Sequence, residues 1–371
     1  MSQSFSPQDQ AYMQRAIALA KRGQFTTSPN PNVGCVIVKN DEIVGEGAHL
    51  KAGEPHAEVH ALRMAGARAQ GATAYVTLEP CSHYGRTPPC AEGLIKAKVA
   101  KVIAAMVDPN PEVAGRGLAM LQDAGIDTAS GLLEQQAVEL NRGFLKRMAT
   151  SMPFVSCKLA ASLDGKTALN NGQSKWITSE PARLDVQQHR AQSCAILSGA
   201  DTVLADNARL NVRSEFAAQV EYPLTQIRQP LRAVIDSDNR LTPDLAFFQI
   251  AAPIVIFRRT IDNSHDWPHY VEQIVIPEVA GKLDLQAILQ TLGNKQCNAL
   301  WLEAGATLCG AMHEQNLIDE YIVYLAPKII GPGRGLFNTP ELTQMSDIAE
   351  LQFNAVSQIG PDIKIIASKE K

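Results

Sequence analysis

Residues 78–90 read LEPCSHYGRTPPC, a stretch in which a strand-like run ends at Cys81 and a Pro-Pro pair leads Cys90 into a helix. A strand end and a helix start can converge on one point in an α/β fold. The dipole of a helix favours a thiolate in its first turn, so Cys90 lies where sulfur can ligate a metal. The stretch therefore predicts two ligands of a metal site.

Upstream, residues 56–60 read HAEVH. His56 and His60, four residues apart, could share one helix face, as in the zinc-protease pattern H-E-x-x-H, but here Glu58 is displaced by one position. The alternative takes His56 as a ligand and Glu58 as a proton carrier. Residues i and i+2 of a helix point to different sides, so both can serve one centre only beyond the N-terminal end. Pro55 favours a helix start there, and His60, a turn deeper, is expected to point away.

One imidazole and two thiolates leave a tetrahedral zinc one open position, which is the ligand count of a catalytic site. A structural site would need a fourth ligand, and either His60 or His83 could supply it. Two thiolates offset the charge of Zn²⁺, so a nearby carboxylate such as Glu58 is needed to take a proton from water and pass it to a leaving amine. The pattern is similar to the zinc-deaminase signature H-x-E with P-C-x-x-C, although eight residues separate the cysteines here.

The composition favours a two-domain, cytoplasmic protein. The 371 residues exceed one ordinary domain, and 45% of them are hydrophobic against 19% charged. A net charge of −4 argues against a polynucleotide partner. No apolar run approaches the ~18 residues of a membrane span, and Ser6, Pro7 and Asp9 are typical of a helix start rather than a secretion signal. The odd number of cysteines, seven, predicts reduced thiols.

Alternating strand and helix patterns predict a three-layer α/β domain over residues 1–150, with a hairpin turn at Asn40-Asp41. Met152-Pro153 marks a change to a second α/β domain over residues 151–371. In this second half we interpret CAILSGADTVLAD as one strand and DEYIVYLAPKII as another. The Gly-rich GPGRG at 331–335 precedes no clear helix and is interpreted as a turn.

The second half has a candidate phosphate cradle in LWLEAGATLCGAMHE, where a strand delivers Gly305 and Thr307 to a helix start. An ordinary strand–helix turn is the alternative. Arg190 and Arg213 carry guanidiniums that suit a phosphate monoester. Asp164 in SLDG is either a structural turn residue or a ribose contact. The remaining thiols lie in apolar settings and are interpreted as core residues: Cys157, Cys194, Cys297 and Cys309.

Several stretches together resemble the bifunctional riboflavin-biosynthesis deaminase/reductase family. EPCSHYGRTPPC, HAEVHALRMAG, NPNVGCVIV and DPNPEVAGRG look like its deaminase half, and KLAASLDGKTA, SKWITS, TVLADN and LEAGATL look like its reductase half. The resemblance covers essentially the whole chain. It implies an N-terminal cytidine-deaminase-like three-layer domain and a C-terminal α/β domain like dihydrofolate reductase.

The resemblance also implies roles for individual residues. Zinc would be held by His56, Cys81 and Cys90, with Glu58 transferring protons. The implied substrate contacts are Asn30, His83, Arg86, Ser174, Arg190, Leu210, Arg213 and Glu303. The implied NADPH contacts are Ala160, Trp176, Thr202, Asp206, Ser237, Gly305, Ala306, Thr307, Leu308, Cys309, Gly310 and Ala311.

These observations predict a homo-oligomeric enzyme that deaminates a pyrimidine ribosylamine phosphate and then reduces its ribosyl chain with NADPH. One rival is a nucleic-acid base editor of the same zinc class, which the acidic charge and the second α/β half oppose. The other rival is a non-catalytic zinc protein, which would need four protein ligands rather than three and a carboxylate.

Overall fold

The computed structural model describes residues 4–84, 88–110, 114–217, 219–220 and 222–370. The chain divides into two compact units, one of Met1–Ser151 with Glu221–Gln226 and the other of Met152–Val220 with Ile227–Lys371. Within the described residues, no helix is both long and apolar enough to cross a membrane.

The helices, in chain order, are α1 Pro7–Ala20, α2 Ala57–Ala65, α3 Cys90–Lys96, α4 Arg116–Asp123, α5 Glu134–Thr150, α6 Glu180–Gln192, α7 Ala200–Asp206, α8 Ser214–Ala217, α9 Leu285–Asn294 and α10 Ala306–Glu314.

The strands are β1 Gly34–Lys39, β2 Glu42–Ala48, β3 Thr73–Val76, β4 Lys101–Ala104, β5 Asp127–Ser130, β6 Phe154–Ser162, β7 Ala168–Leu169, β8 Ala195–Gly199, β9 Leu231–Ile235, β10 Ile254–Arg258, β11 Val271–Val275, β12 Glu278–Val279, β13 Lys282–Leu283, β14 Ala299–Leu302, β15 Glu320–Ala326, β16 Gly333–Arg334, β17 Leu351–Ile359 and β18 Asp362–Lys369.

The first unit is a three-layer sandwich around a sheet of order β2-β1-β3-β4-β5. Side chains of β1 alternate between the two faces because successive residues of a strand point to opposite sides. Val36 and Val38 pack with α1 and α5, whereas Cys35 and Ile37 pack with α2, α3 and α4. The predicted hairpin is confirmed, since Asn40 and Asp41 join β1 to β2 with φ of 50° and 62°. The predicted cap of α1 is also confirmed, because Ser6 and Asp9 form a reciprocal capping box.

The second unit is built on a sheet of order β11-β10-β9-β8-β14-β6-β15-β18-β17. In the spatial order just given, the strands from β11 to β15 are parallel to one another. Strand β18 pairs antiparallel with β15, and β17 pairs antiparallel with β18. Helices α9 and α10 pack on one face, and α6 and α7 cover the other. Ligands of open α/β sheets bind at the carboxyl ends of strands near a change of strand order. Here that edge carries the residues that follow β8, β9 and β14.

Two sequence-based expectations about elements are wrong. The stretch CAILSGADTVLAD is strand β8 followed by helix α7, because Gly199 breaks the strand and Ala200 begins the helix. Cys81 does not end a strand, since β3 stops at Val76 and the cysteine lies in the irregular loop beyond. The predicted strand DEYIVYLAPKII is confirmed as β15, and the sequence analysis did not predict the hairpin of β17 and β18 beyond it.

Candidate active sites

The position of α2 is set by two glycines of β2. A Cβ on Gly45 would lie 2.2 Å from the Ala61 carbonyl oxygen, and one on Gly47 would lie 2.1 Å from that of Ala57. Only a residue without a side chain permits this approach, because real Cβ atoms do not come so close to backbone. The contact brings the N-terminal end of α2, with His56 as its N-cap, against the sheet.

At that end of α2, three metal-ligating side chains meet. His56 Nδ1 lies 3.7 Å from Cys81 Sγ and 3.3 Å from Cys90 Sγ. A tetrahedral zinc with bonds of about 2.0–2.3 Å needs its ligand atoms about 3.3–3.8 Å apart, so these three residues fit the ion. Among the residues that the structure describes, they are the one group of this kind, and His60 is not part of it.

The start of α3 prepares Cys81 for ligation, whereas the hydrogen bond with Cys81 and burial raise the pKa of Cys90, contrary to the expectation from its helix position. Cys90 is the first residue of α3, as predicted, and its backbone N–H donates to Cys81 Sγ at 3.3 Å. A hydrogen bond from the Cys90 thiol lowers the pKa of Cys81 to about 4. The thiolate, which is the form that binds a metal, is therefore favoured at Cys81.

Glu58 lies in the first turn of α2 and is 3% exposed. Its Oε2 atom has no hydrogen-bond partner within the described protein, which is unusual for a buried carboxylate oxygen. Burial raises the pKa of Glu58 above its usual value. A buried carboxylate with a raised pKa and a free oxygen beside three metal ligands is suited to accept and return a proton.

Glu79 anchors the cysteine loop, a role that the sequence reasoning missed. Its carboxylate accepts backbone hydrogen bonds from Asp108, Gly115, Gly117 and Leu118 at 2.8–3.2 Å. These donors include the first turn of α4, so the carboxylate caps that helix. A Cβ on Gly117 would lie 1.9 Å from the Pro80 carbonyl oxygen, so α4 also touches the residue before Cys81.

Asn30 lies beside a buried histidine that the sequence reasoning also missed. The Asn30 side-chain amide is 3.0 Å from His49 Nε2, and His49 Nδ1 is 3.1 Å from the Pro55 carbonyl oxygen. Since a carbonyl only accepts, His49 carries its proton on Nδ1 and accepts from Asn30 on Nε2. The His49 ring lies 5.2 Å from the His56 ring, so the Asn30–His49 pair borders the metal-ligand group.

Two further predicted residues lie in or near the cysteine loop. His83 is exposed, and burial raises the pKa of Asp108 to about 6. The Asp108 carboxylate accepts the Asn110 N–H at 2.9 Å. Arg86, expected to contact substrate, lies outside the described residues.

In the second unit, α10 begins at the predicted phosphate cradle. Gly305 is its N-cap and has no side-chain cap, and a Cβ there would lie 3.9 Å from Thr202 Oγ1. Gly305 and Thr307 are exposed, so the free N–H groups of this helix start are open to a phosphate. The donor set fits the pyrophosphate of a nicotinamide dinucleotide. Cys309 and Gly310 are buried, and Gly310 packs on the Asn338 backbone, so both residues lie on the side of α10 that faces the interior.

Glu303, which follows β14, forms a bidentate pair with Arg190. Arg190 Nε and Nη2 donate to the two Glu303 oxygens at 2.9 and 2.7 Å, and Nη1 donates to the Asn211 carbonyl at 3.0 Å. Lys158 Nζ lies 4.0 Å from Glu303 Oε1. Burial alone would raise the pKa of Glu303, but the charges of Arg190 and Lys158 hold it at about 2. The carboxylate is a fixed anion, and Arg190 is largely engaged by it.

The other predicted residues of this unit occupy varied settings. Trp176 is 63% exposed with the Arg183 guanidinium 4.6 Å from its ring centroid. Arg213 is exposed, and Leu210 is buried at a φ of 48°. Ser174, Thr202, Asp206, Ser237 and Ala160 lie in loops, in α7 or in β6. Asp164 accepts backbone hydrogen bonds from Ile330 and Gly331 at 2.8–3.3 Å, which supports the turn alternative for this residue.

The fold and the site together define a class of protein, a zinc-dependent deaminase joined to a nicotinamide-dependent reductase. Residues 6–106 match the cytidine and deoxycytidylate deaminase zinc-binding region, and residues 153–365 match the RibD C-terminal domain. The chain is 56% identical over 360 residues to riboflavin biosynthesis protein RibD of Escherichia coli, covering 96% of this chain and 98% of that protein. It is 53% identical over 365 residues to the Haemophilus influenzae RibD, covering 97% of each chain.

Solved structures agree with these matches. A structure of Acinetobacter baumannii RibD superposes with a TM-score of 0.89 at 46% identity, covering 98% of this chain and 99% of that one. A deaminase/reductase from Thermotoga maritima superposes with a TM-score of 0.86 at 31% identity, covering 98% and 99%. The chain belongs to the RibD family of bifunctional deaminase/reductases of riboflavin biosynthesis.

Proposed function

We propose that this chain deaminates a diaminopyrimidinone ribosylamine 5′-phosphate in its first domain, residues 1–150, and reduces the ribosyl chain to ribityl in its second, residues 151–371. The observation that carries the proposal is the meeting of His56, Cys81 and Cys90 beside the unpartnered Glu58 oxygen. The Thermotoga maritima relative is described as a diaminohydroxyphosphoribosylaminopyrimidine deaminase and phosphoribosylaminouracil reductase, which supports the same substrates here.

For deamination, His56, Cys81 and Cys90 would hold zinc, which would supply a Lewis acid that acidifies a water molecule. Glu58 would carry the two protons of the attacking water, one to the ring nitrogen and one to the amine, which leaves as ammonia while a carbonyl replaces it on the ring. Asn30, His83 and Arg86 bind the pyrimidine phosphoribosyl substrate in this proposal. His49, held neutral by Pro55 and Asn30, fixes the Asn30 amide at the border of the site.

For reduction, NADPH supplies the hydride. The start of α10 at Gly305 to Ala311 binds the cofactor, helped by Ala160, Trp176, Thr202, Asp206 and Ser237. Ser174, Arg190, Leu210, Arg213 and Glu303 bind the substrate. Because Arg190 is engaged by Glu303, Arg213 is the freer guanidinium for the 5′-phosphate, and Arg190 and Glu303 act as one rigid unit.

The test is incubation of the full chain with the diaminopyrimidine ribosylamine phosphate, with and without NADPH. Ammonia should appear in both samples, whereas NADPH oxidation should follow only once the deaminated product has formed. Release of ammonia without any later NADPH oxidation would contradict the reductase assignment, and oxidation without ammonia would contradict the deaminase assignment.

The partners in this proposal are small molecules rather than nucleic acid, and the enzyme is a cytoplasmic homo-oligomer. The net charge of −4 disfavours binding to a phosphate backbone. The edge strand β17 supports self-association, since Phe353 and Val356 are 66% and 61% exposed on an unpaired sheet edge. Phe353→Lys with Val356→Lys should convert an oligomer to monomers in sedimentation, and an unchanged mass would exclude this edge as the interface.

A further inference from the structure

Four titratable side chains from three elements of the second unit form a cluster near the Arg190–Glu303 pair. Asp185 and His189 come from α6, Tyr324 from β15 and Lys364 from β18. Asp185 Oδ2 accepts from the Tyr324 hydroxyl at 2.5 Å and from Lys364 Nζ at 2.6 Å, and Lys364 Nζ is also 2.8 Å from His189 Nε2. We refer to these four residues as the Lys364 cluster.

The Lys364 cluster is connected to Glu303 by two routes. The His189 ring stacks on the Trp301 ring with centroids 4.7 Å apart and planes 4° from parallel, and Trp301 Nε1 donates to Glu303 Oε2 at 3.1 Å. In addition, Arg190 follows His189 on α6 and donates to both Glu303 oxygens. Interactions that hold the His189 ring in place therefore also restrain Trp301 and Arg190, the two donors that hold the Glu303 carboxylate.

The hydrogen bonds of the cluster determine the protonation of His189. An ammonium has no lone pair, so Lys364 must donate to His189 Nε2, which leaves the imidazole neutral with its proton on Nδ1. Burial alone would raise the pKa of Asp185, but the hydrogen bonds that its carboxylate accepts from Lys364 and Tyr324 lower it below its usual value, so it is an anion.

The charged groups around His189 act in opposite directions. Asp185, whose Oδ2 is 3.5 Å from His189 Nε2, favours a protonated imidazole, whereas Lys364 and the neighbouring Arg190 oppose one. Tyr324 faces Asp185, and Trp301 presents a neutral ring. Removing the Lys364 charge therefore leaves Asp185 free to pull a proton onto His189.

We propose that Lys364, Asp185 and His189 are positioning residues of the reductase site, which keep His189 neutral against Trp301 so that Trp301 and Arg190 hold Glu303 in place. This inference rests on the proposed function, in which Glu303 contacts the substrate of the reductase. A cation stacked on Trp301 would attract the ring and the Glu303 carboxylate toward His189, away from that position.

The test uses Lys364→Met in the full chain, with Lys369→Met on the same strand as a matched control, since the Lys369 ammonium contacts Asn316 rather than the cluster. Reduction of the deaminated intermediate is measured from pH 8 to pH 5.5. Lys364→Met should lose about tenfold in kcat relative to wild type as the pH falls across this range, because without the ammonium Asp185 favours a protonated imidazole. The KM for NADPH and the deaminase rate should be unchanged.

Two further variants separate positioning from a general effect on the fold. Lys364→Arg should restore the wild-type profile, and His189→Gln added to Lys364→Met should remove the acidic loss. Nitrogen chemical shifts of labelled His189 in the wild type should show a neutral ring protonated on Nδ1, a measurement that does not depend on any variant.

A Lys364→Met profile parallel to wild type, an acidic loss that persists in the double variant, or a wild-type His189 protonated on Nε2 would each overturn the inference while leaving the reductase function intact. A wild type that deaminates but never oxidises NADPH would instead overturn the proposed reductase function, and with it the role of the Lys364 cluster.

Discussion

Glu58 is buried and Glu303 is partly buried, and their surroundings shift the pKa values of the two carboxylates in opposite directions. Burial raises the pKa of Glu58, whereas the charges of Arg190 and Lys158 overcome burial and hold the pKa of Glu303 at about 2. A carboxylate with a raised pKa can exchange a proton, and one with a lowered pKa stays an anion. The residue type is the same, but the partners assign one a proton-transfer role and the other a binding role.

Glu58→Gln should retain about one zinc per chain and lose deamination by about 10²–10⁴-fold, because proton transfer is removed while the three ligands remain. Metal analysis and ammonia release measure the two effects. Glu54→Gln, at an exposed carboxylate paired with Lys51, is the matched control and should behave as wild type. Loss of zinc from Glu58→Gln would make Glu58 a ligand and contradict its role.

Arg213→Ala should weaken use of the phosphorylated reductase substrate by about ten- to a hundredfold, since a charge-assisted hydrogen bond is worth about 1.5–3 kcal/mol. Arg213→Lys should restore only part of the lost activity, because lysine cannot form the bidentate hydrogen bonds of a guanidinium. The comparison uses kcat/KM with phosphorylated and dephosphorylated substrate. Equal losses on both would remove Arg213 from the phosphate site.

Arg190→Ala should differ from Arg213→Ala by lowering stability. It leaves the Glu303 carboxylate buried without its main partner, and breaking a buried pair from one side costs about 3–5 kcal/mol. Chemical denaturation measures the free energy of unfolding of the second unit. A stability equal to that of Arg213→Ala would show that the Arg190–Glu303 pair is not structural.

The acid sensitivity of the second unit should depend on Glu303. Its pKa is lowered from 4.5 to about 2 by folding, so its contribution is present above pH 4.5 and lost as the pH falls toward 2. Thermal unfolding between pH 5.5 and 3 should show a smaller decline of Tm with pH in Glu303→Gln than in wild type. Identical slopes would mean that this carboxylate is not held ionised by its partners.

At the scale of elements, the starts of helices could be predicted from sequence because capping is local chemistry. Ser6, His56, Cys90 and Gly305 all lie where the sequence placed a helix start. The strand ending at Gly199 was extended too far because its apolar residues continue into α7. The Glu79 anchor was missed, since its donors lie 29–39 residues away and no local pattern signals them.

Gly47→Ala should displace α2 from β2, because the new methyl group would meet the Ala57 carbonyl. Overpacking of this kind costs about 1–3 kcal/mol, and the displacement should lower both zinc content and deamination. Gly93→Ala in α3 is the matched control, since its Cβ meets only Leu62 at 3.5 Å. Normal zinc content in Gly47→Ala would show that α2 can relax without moving His56.

At the scale of the whole molecule, the pairing of Arg190 with Glu303 spans 113 residues and could not be read from spacing. The order of the nine-stranded sheet could not be predicted from sequence either, because β14 lies between β6 and β8 although β9, β10 and β11 come before it in the chain. What the sequence did predict at this scale, two α/β halves with different chemistry, followed from length, motif spacing and resemblance.

Cys81→Ser should separate the two activities. It should abolish deamination while a supplied deaminated intermediate is still reduced at about the wild-type rate, because the reductase residues belong to the other unit. Ammonia release and NADPH oxidation are measured on the same preparation. Simultaneous loss of both activities with an intact fold would contradict the assignment of one activity to each half.

The long-range pairing of β6 also determines the order in which the two halves regain structure. In the second unit β6 pairs with β14 and β15, and the contact between Val155 and Asp319 spans 164 residues. The first unit joins β1 to β2 through a two-residue turn. Closing long loops slows folding, so after dilution from denaturant with zinc present, ammonia release should recover before NADPH oxidation does.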